Sequence, residues 1–315
     1  MKNLFRSLLL ASIAFVLIYV PASTSLAIVI VPSGSGNAVA PTDDPGWLNV
    51  ANRGVYIGNR WMLSVEHVGA GQTVFQDVGT FEYEAGTEIR LANPTGVGIS
   101  LVTDLVMYRL QTDPGLPSLK IAPTGPTVGT DVTMIADGGL RDGNLVNWDV
   151  TEVTPTDWVW TQVASSGDYS GYNSFGTGKR WATNVVSTTT NEDSSLNEVN
   201  SGYGDVVSFS TIFDITGGTT NEGQAAIGDS GGAMFAKDAF GAWQLTGLIH
   251  AVSTYEDQPL PGLTALEGNA TYSADLSAYS SQIVAISAVP EPTGAVSIFL
   301  LVGCATPIVR LRRRP

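Results

Sequence analysis

Short apolar segments separated by turn residues constrain this chain more than any other feature of its sequence. Gly54–Ile57 and Arg60–Val65, for example, flank Gly58 and Asn59, a pair typical of a β-hairpin turn. Further strand-like segments are Leu105–Leu110, Val132–Ala136, Ala233–Phe235 and Trp243–Val252. Many short strands at this spacing predict an all-β chain that folds as a sandwich or as barrels.

Two later stretches depart from this strand pattern. Asp275–Val284 places Leu276, Tyr279 and Ile283 on one face of a helix, so a short C-terminal helix is predicted. Residues 162–202 are rich in Ser, Thr, Gly and Asn, and surface loops are predicted there.

Composition excludes several classes of protein. The 29 acidic residues outnumber the 15 basic residues and give a net charge of −14, which argues against nucleic acid as a partner. The hydrophobic content of 43% is too high for a disordered chain. A single cysteine, Cys304, excludes a disulfide framework, and with only two histidines neither a metal site nor another cofactor is predicted.

The first 27 residues have the three parts of a secretory signal peptide. Lys2 and Arg6 form a positive region, Leu8–Val20 is apolar, and Ser25–Ala27 fits a cleavage site with small residues. Export is therefore predicted, and an uncleaved anchor helix is the alternative.

Residues 289–315 form a second sorting segment. Val289–Pro292 reads Val-Pro-Glu-Pro, Gly294–Val309 is apolar, and Arg310–Pro315 carries four arginines. This end resembles the PEP-CTERM signal of Gram-negative bacteria that carry an exosortase. The resemblance implies transient anchoring in the inner membrane and cutting by an exosortase-type processing enzyme, and then attachment to the cell surface or secretion; a plain membrane anchor is the alternative.

The charge of the exported body differs from that of the whole chain. Removing both ends takes away six of the 15 basic residues and one of the 29 acidic residues, which leaves a charge of about −19. Cys304 leaves with the tail, so the body must fold without disulfides.

The pentapeptide Gly228–Gly232, Gly-Asp-Ser-Gly-Gly, is the most informative motif. A nucleophilic serine needs an exposed hydroxyl and nearby backbone N–H groups that stabilise an oxyanion, and glycines allow the tight turn that presents both. The alternative is a glycine-rich turn between two strands.

A nucleophilic serine also needs a base and a carboxylate that orients it. His67 ends an apolar strand within Trp61–Val68, and Asp104 precedes the strand Leu105–Leu110. Each of the two residues alone is more simply explained by a structural role. The catalytic interpretation therefore depends on the order of His67, Asp104 and Ser230 along the chain.

Five segments resemble the chymotrypsin-like (trypsin-like) serine proteases. Ser64–His67 is similar to their Thr-Ala-Ala-His, although Val65 and Glu66 replace two alanines, and Asp104–Leu110 is similar to their Asp-Ile-Ala-Leu-Leu-x-Leu. Gly228–Gly232 has their Gly-Asp-Ser-Gly-Gly. The other two segments, which border the specificity pocket and enter the C-terminal helix, are Gln244–Ile249 and Thr271–Tyr279.

The resemblance implies two perpendicular six-stranded β-barrels and a short C-terminal helix in a domain of residues 28–288. It implies an exported endopeptidase that cleaves protein or peptide substrates through an acyl-enzyme. The implied catalytic triad is His67, Asp104 and Ser230, and the N–H groups of Gly228 and Ser230 are the implied oxyanion hole.

The specificity pocket follows less directly from the resemblance. It implies Gln224, Ala225, Gly247 and His250 as pocket residues, and a neutral Gln224 predicts no preference for Lys or Arg. His250 stands where the family usually has a serine near the triad aspartate. It therefore either contacts Asp104 or lines the pocket, where some relatives use a histidine to favour Glu.

Two further alternatives concern activation and activity. In the family, the aspartate before the nucleophile pairs with a new N-terminal amine that begins Ile-Val. Signal cleavage before Ile28 would free such an amine for Asp229, or Ile28–Val31 is simply an edge strand. The chain is either an active endopeptidase or a catalytically silent surface binding module. An esterase of another fold is disfavoured, because His67 precedes Ser230 in the chain, whereas the histidine follows the serine in esterases of the α/β-hydrolase fold.

Overall fold

The computed structural model of the chain describes residues 28–31, 36–98, 100–176, 178–187 and 198–288. Strands dominate these ranges. The strands of the first part are β1 Val29–Ile30, β2 Val50–Ala51, β3 Gly54–Gly58, β4 Trp61–Val65, β5 Thr73–Phe75, β6 Gly79–Phe81, β7 Ile89–Ala92 and β8 Val102–Arg109. Those of the second part are β9 Asp131–Gly138, β10 Arg141–Thr154, β11 Asp157–Val163, β12 Tyr169–Ser174, β13 Gly178–Ser187, β14 Glu198–Asn200, β15 Asp205–Ile212, β16 Gly223–Gln224, β17 Ala233–Lys237, β18 Trp243–Val252, β19 Thr264–Leu266 and β20 Ala270–Asp275. Two 3-10 helices, Trp47–Asn49 and Leu276–Tyr279, and the α-helix α1 Ser280–Ser287 complete the set.

The N-terminal half is an antiparallel sheet in the order β2-β3-β4-β8-β7, supplemented by the ribbon β5-β6. A few hydrogen bonds connect this ribbon and the residues after it to the sheet. Asn52 N–H donates to the Val74 carbonyl and Val74 N–H donates to Asn52 Oδ1, while Glu84 N–H donates to the Arg109 carbonyl. The first half thus consists of five paired strands and a two-stranded ribbon, which isolated contacts join.

The hairpin β3-β4 sits one residue later than the sequence predicted. Asn59 and Arg60 both have positive φ, +51° and +65°, as a two-residue turn that matches strand twist requires. Gly58 remains in the ladder opposite Trp61. The turn therefore spans Asn59–Arg60 and not Gly58–Asn59.

The C-terminal half is a closed barrel of six antiparallel strands in the order β13-β9-β17-β18-β20-β15. The barrel closes because Val186 pairs with Thr211 and Ser187 pairs with Ser210. This closed barrel and the short C-terminal helix confirm the all-β prediction.

The predicted loop region 162–202 is partly wrong. It contains β12 and the ten-residue β13, which lies in the barrel wall. Residues at alternate positions of β13 are buried from Ala182 to Val186, and the buried set includes the polar Asn184. Because polar and apolar residues both occur in the buried set, the sequence did not predict this strand. Strands β10–β12 instead leave the barrel and form a separate sheet in the order β11-β10-β12-β19.

An apolar core joins the two halves. Leu63 and Leu105 of the first half share one cluster with Phe235 and Leu248 of the second. Burial of each such side chain contributes about 2 kcal/mol. Packed apolar side chains therefore hold the two halves together.

The C-terminal helix packs as its sequence pattern predicted. Leu276, Tyr279 and Ile283 are all buried in the shared core. The Tyr279 hydroxyl accepts from Val207 N–H and donates to Asn93 Oδ1, so it also ties the two halves together. Among the residues that the structure describes, no helix is long and apolar enough to cross a membrane. The predicted signal peptide and sorting segment lie outside those residues.

Candidate active site

The end of strand β4 places His67 beside Asp104. Val65 pairs with Leu105 on β8, and the Glu66 N–H donates to the Asp104 carbonyl at 3.0 Å. The chain then turns, because Val68 N–H and Gly69 N–H both donate to the Val65 carbonyl. The antiparallel register of β4 and β8 therefore brings together two residues that are 37 positions apart.

His67 and Asp104 form two hydrogen bonds. His67 Nδ1 lies 2.7 Å from Asp104 Oδ2, and the His67 backbone N–H donates to Asp104 Oδ1 at 3.2 Å. The ionised carboxylate only accepts, so Nδ1 carries the proton and Nε2 is left as the basic nitrogen. The side chain of Asp104 is fully buried and that of His67 is 22% exposed, so the imidazole alone reaches solvent.

A hydroxyl that the sequence did not single out also contacts Asp104. Ser201 Oγ donates to Asp104 Oδ2 at 2.5 Å. Burial raises the pKa of Asp104, but the hydrogen bonds from His67 and Ser201 outweigh burial and hold this pKa below its usual range. Ser201 lies within the Ser-rich stretch predicted as loops, where no pattern marks one serine among many.

A glycine-rich turn presents Ser230. Gly228 and Gly231 have φ values of +103° and +86°, a region that favours glycine. The turn is anchored to β18, because Gly231 N–H donates to the Ile249 carbonyl and Ile249 N–H donates to the Gly232 carbonyl, each at 2.8 Å. Gly231 also approaches the first half closely, since a Cβ there would lie 3.3 Å from Gly54 Cα.

The carboxylate of Asp229 is buried beneath this turn. Asp229 Oδ2 accepts from Ala226 N–H at 2.7 Å, whereas Oδ1 has no hydrogen-bond partner among the described residues. Burial raises the pKa of Asp229 well above its usual value, and that one hydrogen bond offsets the effect only in part.

His67 and Ser230 line one cleft of about 600 Å³ between the two halves. Within the part of the chain that the structure describes, no hydrogen bond joins their side chains, and no backbone bond engages the N–H of Gly228 or Ser230. Those two N–H groups therefore have no backbone acceptor among the described residues. Other residues of the cleft wall are Val68, Val199, Asn200, Ser201, Tyr203, Ala226, Ile227, Ile249, His250, Ala251, Val252 and Tyr272.

The described lining of the cleft is mostly apolar and carries no formal charge apart from any on its histidines. Its described lining includes neither Lys, Arg, Asp nor Glu, and aliphatic and tyrosine side chains prevail. Over the same described ranges, no group of three or more His, Cys, Asp or Glu side chains is arranged to hold a metal ion.

Comparison with solved structures shows a likeness of fold. No protein-family model and no curated protein matches the chain. Among solved structures, the chain is similar to neuropsin, described as a serine protease expressed in the limbic system of mouse brain, with 16% identity and a TM-score of 0.46. The alignment covers 79% of this chain and 97% of neuropsin. At this identity the likeness concerns the polypeptide fold alone.

Of the four predicted pocket residues, His250 lines the cleft. Gln224 and Ala225 are buried, and Gln224 pairs with Val29 in the ribbon β1-β16. Gly247 lies in β18, where a Cβ would approach the Phe209 ring to 2.7 Å, so the glycine is needed for packing. None of these three residues is part of the cleft lining.

His250 contacts Ser208 and not Asp104. A bulge between Ile249 and Ala251 leaves His250 outside the β18–β20 register. Its Nε2 lies 2.9 Å from Ser208 Oγ, while its Nδ1 has no partner among the described residues. Burial lowers the pKa of His250 to about 4, so the imidazole is neutral at pH 7.

Proposed function

We propose that the chain is a serine endopeptidase in which Ser230 is the nucleophile, His67 the base and Asp104 the residue that orients the base. The observation that carries this proposal is the 2.7 Å contact between His67 and a fully buried Asp104, at a cleft that Ser230 shares. A buried carboxylate in this position stabilises the positive charge that the imidazole acquires during the reaction.

Acylation begins when His67 Nε2 removes the proton from Ser230 Oγ. The oxygen attacks the carbonyl carbon of the substrate, and the oxyanion that forms accepts hydrogen bonds from the N–H groups of Gly228 and Ser230. The protonated His67 then gives its proton to the leaving amine as the C–N bond breaks. An acyl-enzyme on Ser230 and a free amine result.

Deacylation repeats these steps with water. His67 removes a proton from a water molecule whose oxygen attacks the acyl carbon. The second tetrahedral intermediate collapses, the ester bond breaks, and His67 returns the proton to Ser230 Oγ. Throughout the cycle Asp104 stays ionised and stabilises the positive charge on His67.

The cleft lining supports cleavage after uncharged, apolar residues. Ile227, Ala251, Val252 and Tyr272 provide apolar contacts, and the described lining supplies no carboxylate that would pair with Lys or Arg. The neutral His250 is a hydrogen-bonding group and not a cation at pH 7. We therefore expect peptide libraries to show apolar residues before the cleaved bond.

Covalent labelling tests the proposal directly. A fluorophosphonate probe should label the wild-type chain at Ser230, and Ser230→Ala should abolish the labelling. Ser166→Ala is the matched control and should label like the wild type, because Ser166 is an exposed serine in the loop between β11 and β12. A folded wild type that does not label would contradict the proposal and would favour a catalytically silent binding module.

We further propose that the chain is exported and that both its ends are sorting signals. The three-part N-terminus and the Pro-Glu-Pro, apolar and arginine segments of the C-terminus support this proposal. Intact mass of the protein from an exosortase-bearing host should show loss of residues 1–27 and cutting near Val289–Pro292. Retention of either end would contradict the corresponding signal.

A further inference from the structure

A serine from outside the predicted motifs completes the environment of Asp104. We propose that Ser201 is a positioning residue, which fixes the carboxylate of Asp104 so that Asp104 holds His67 in its working orientation. This inference rests on the proposed function, because it assigns Ser201 a task in the same reaction.

The hydrogen bonds of Asp104 show why a third donor is needed. The carboxylate is fully buried, and its two oxygens accept from the His67 backbone, from His67 Nδ1 and from Ser201 Oγ. Both of the His67 bonds belong to the residue that Asp104 must orient. Ser201 therefore provides the contact that fixes the carboxylate independently of His67.

The segment that carries Ser201 is itself held in place. The Arg90 guanidinium donates to the Thr103 carbonyl at 2.8 Å, next to Asp104, and also to the Tyr203 carbonyl. One side chain thus connects the neighbour of Asp104 to the segment of Ser201. The fold therefore places the Ser201 hydroxyl near Asp104, because the Arg90 guanidinium binds both the residue before Asp104 and the segment that carries Ser201.

A second anchor lies on the other side of Ser201. Asn200 Nδ2 donates to Asp205 Oδ1 at 2.8 Å, and Ser100 N–H donates to Asp205 Oδ2 at 2.9 Å. Asp205 belongs to the barrel strand β15 and contacts the loop before β8 through Ser100. The segment 200–203 is therefore held to both halves of the molecule.

Tyr203 adds a cover for the imidazole. The rings of Tyr203 and His67 are 5.4 Å apart and tilted by 42°. Both residues line the cleft, so the same segment that supplies the Ser201 hydroxyl also restricts the solvent around His67. Lower solvent access strengthens the His67–Asp104 interaction.

Apart from His67 and Ser201, no described side chain forms a hydrogen bond with Asp104. His250, the nearest candidate from sequence, binds Ser208 through Nε2. Its neutral ring contributes no charge that could substitute for the Ser201 hydroxyl.

The first test measures the carboxylate itself and needs no activity. In the full chain, ¹³C-labelled aspartate carboxyl groups are titrated by NMR, and Asp104→Asn identifies the Asp104 signal. Ser201→Ala should move the titration midpoint of Asp104 to higher pH, because a donor that stabilises the charged form is lost. Ser201→Thr, which keeps a hydroxyl, should restore the wild-type midpoint, and Ser166→Ala should leave it unchanged.

The second test measures inactivation by the fluorophosphonate probe. Ser201→Ala should lower the limiting rate about ten-fold to a hundred-fold, as for loss of a hydrogen bond to a charged group, with little change in probe affinity. Ser201→Thr should recover most of that rate. A residue that only supported folding would change stability without this selective loss.

The outcomes separate this inference from the proposed function. An Asp104 midpoint that is the same in Ser201→Ala and in the wild type would overturn the role of Ser201, whatever the activity. A folded wild type that never labels, but whose Asp104 midpoint responds to Ser201→Ala, would overturn the proposed function and support the contact. A normal limiting rate in Ser201→Ala would overturn the positioning role.

Discussion

His67 Nδ1 lies 2.7 Å from Asp104 Oδ2, and the carboxylate of this pair has no contact with solvent. A buried carboxylate is expensive unless hydrogen bonds satisfy it, and here three bonds do so. The arrangement fixes which imidazole nitrogen is basic, so it determines the direction in which His67 can accept a proton.

Replacing the carboxylate should damage the reaction far more than the fold. Asp104→Asn keeps the shape of the side chain but allows it to donate to Nδ1, which would place the proton on Nε2 and remove the base. The rate of fluorophosphonate labelling should fall on the order of 10⁴-fold. Thermal unfolding of the variant provides the control, and labelling at near the wild-type rate by a folded variant would contradict this role.

The turn before Ser230 should tolerate no side chain at Gly228. Its φ of +103° is strained for any other residue, so Gly228→Ala would rotate the peptide and displace an N–H from the oxyanion site. We expect the labelling rate to fall about 10²-fold or more.

Gly96→Ala is the matched control for that variant. Gly96 has a φ of +89°, and an added Cβ would meet no atom within 4 Å. It imposes similar backbone strain at a residue outside the cleft lining. Both variants should lose about 1 kcal/mol or more of stability, and only Gly228→Ala should lose labelling. Equal labelling by the two would exclude Gly228 from the oxyanion site.

The motifs predicted the neighbourhood of the site because each is contiguous in sequence. His67 ends a strand that is recognisable from its apolar residues, and Gly228–Gly232 needs no distant partner to form its turn. The structure adds the register that joins the strand of His67 to that of Asp104.

Long-range pairing accounts for what the sequence did not predict. Closure of the C-terminal barrel depends on Val186 meeting Thr211, and the polar residues between them read as loop. The contact from Ser201 to Asp104 joins residues 97 positions apart, and a bulge rather than a motif turns His250 toward Ser208. None of these contacts has a local signal.

His250 should make the fold sensitive to acid. Burial lowers its pKa from 6.5 to about 4, so between these two pH values the unfolded chain binds a proton at this residue and the folded chain does not. This contribution to stability is complete above pH 6.5 and is lost as the pH falls toward 4, by about 3 kcal/mol. Denaturant unfolding at pH 7 and pH 4 should show a smaller loss for His250→Gln than for the wild type. An equal loss would contradict the buried neutral state.

The buried Asp229 should make stability depend on how the N-terminus is processed. Burial and the unpartnered Oδ1 disfavour the charged form of Asp229 in the folded chain, so its pKa is raised above 3.8. A chain with residues before Ile28 therefore loses stability as the pH rises from 3.8 to that higher folded pKa, because the unfolded chain releases the proton first. An α-amine freed at Ile28, whose neighbour Val29 pairs with Gln224, would supply a positive charge that compensates. The chain that begins at Ile28 should therefore lose less stability between pH 4 and pH 7 than one that begins at Ala27. In the Ala27 chain, Asp229→Asn should reduce the pH-dependent loss, and the raised pKa values of Asp137 and Glu222 should leave part of it in place. Identical pH dependence of the two chains, or a mature N-terminus other than Ile28, would contradict the pairing.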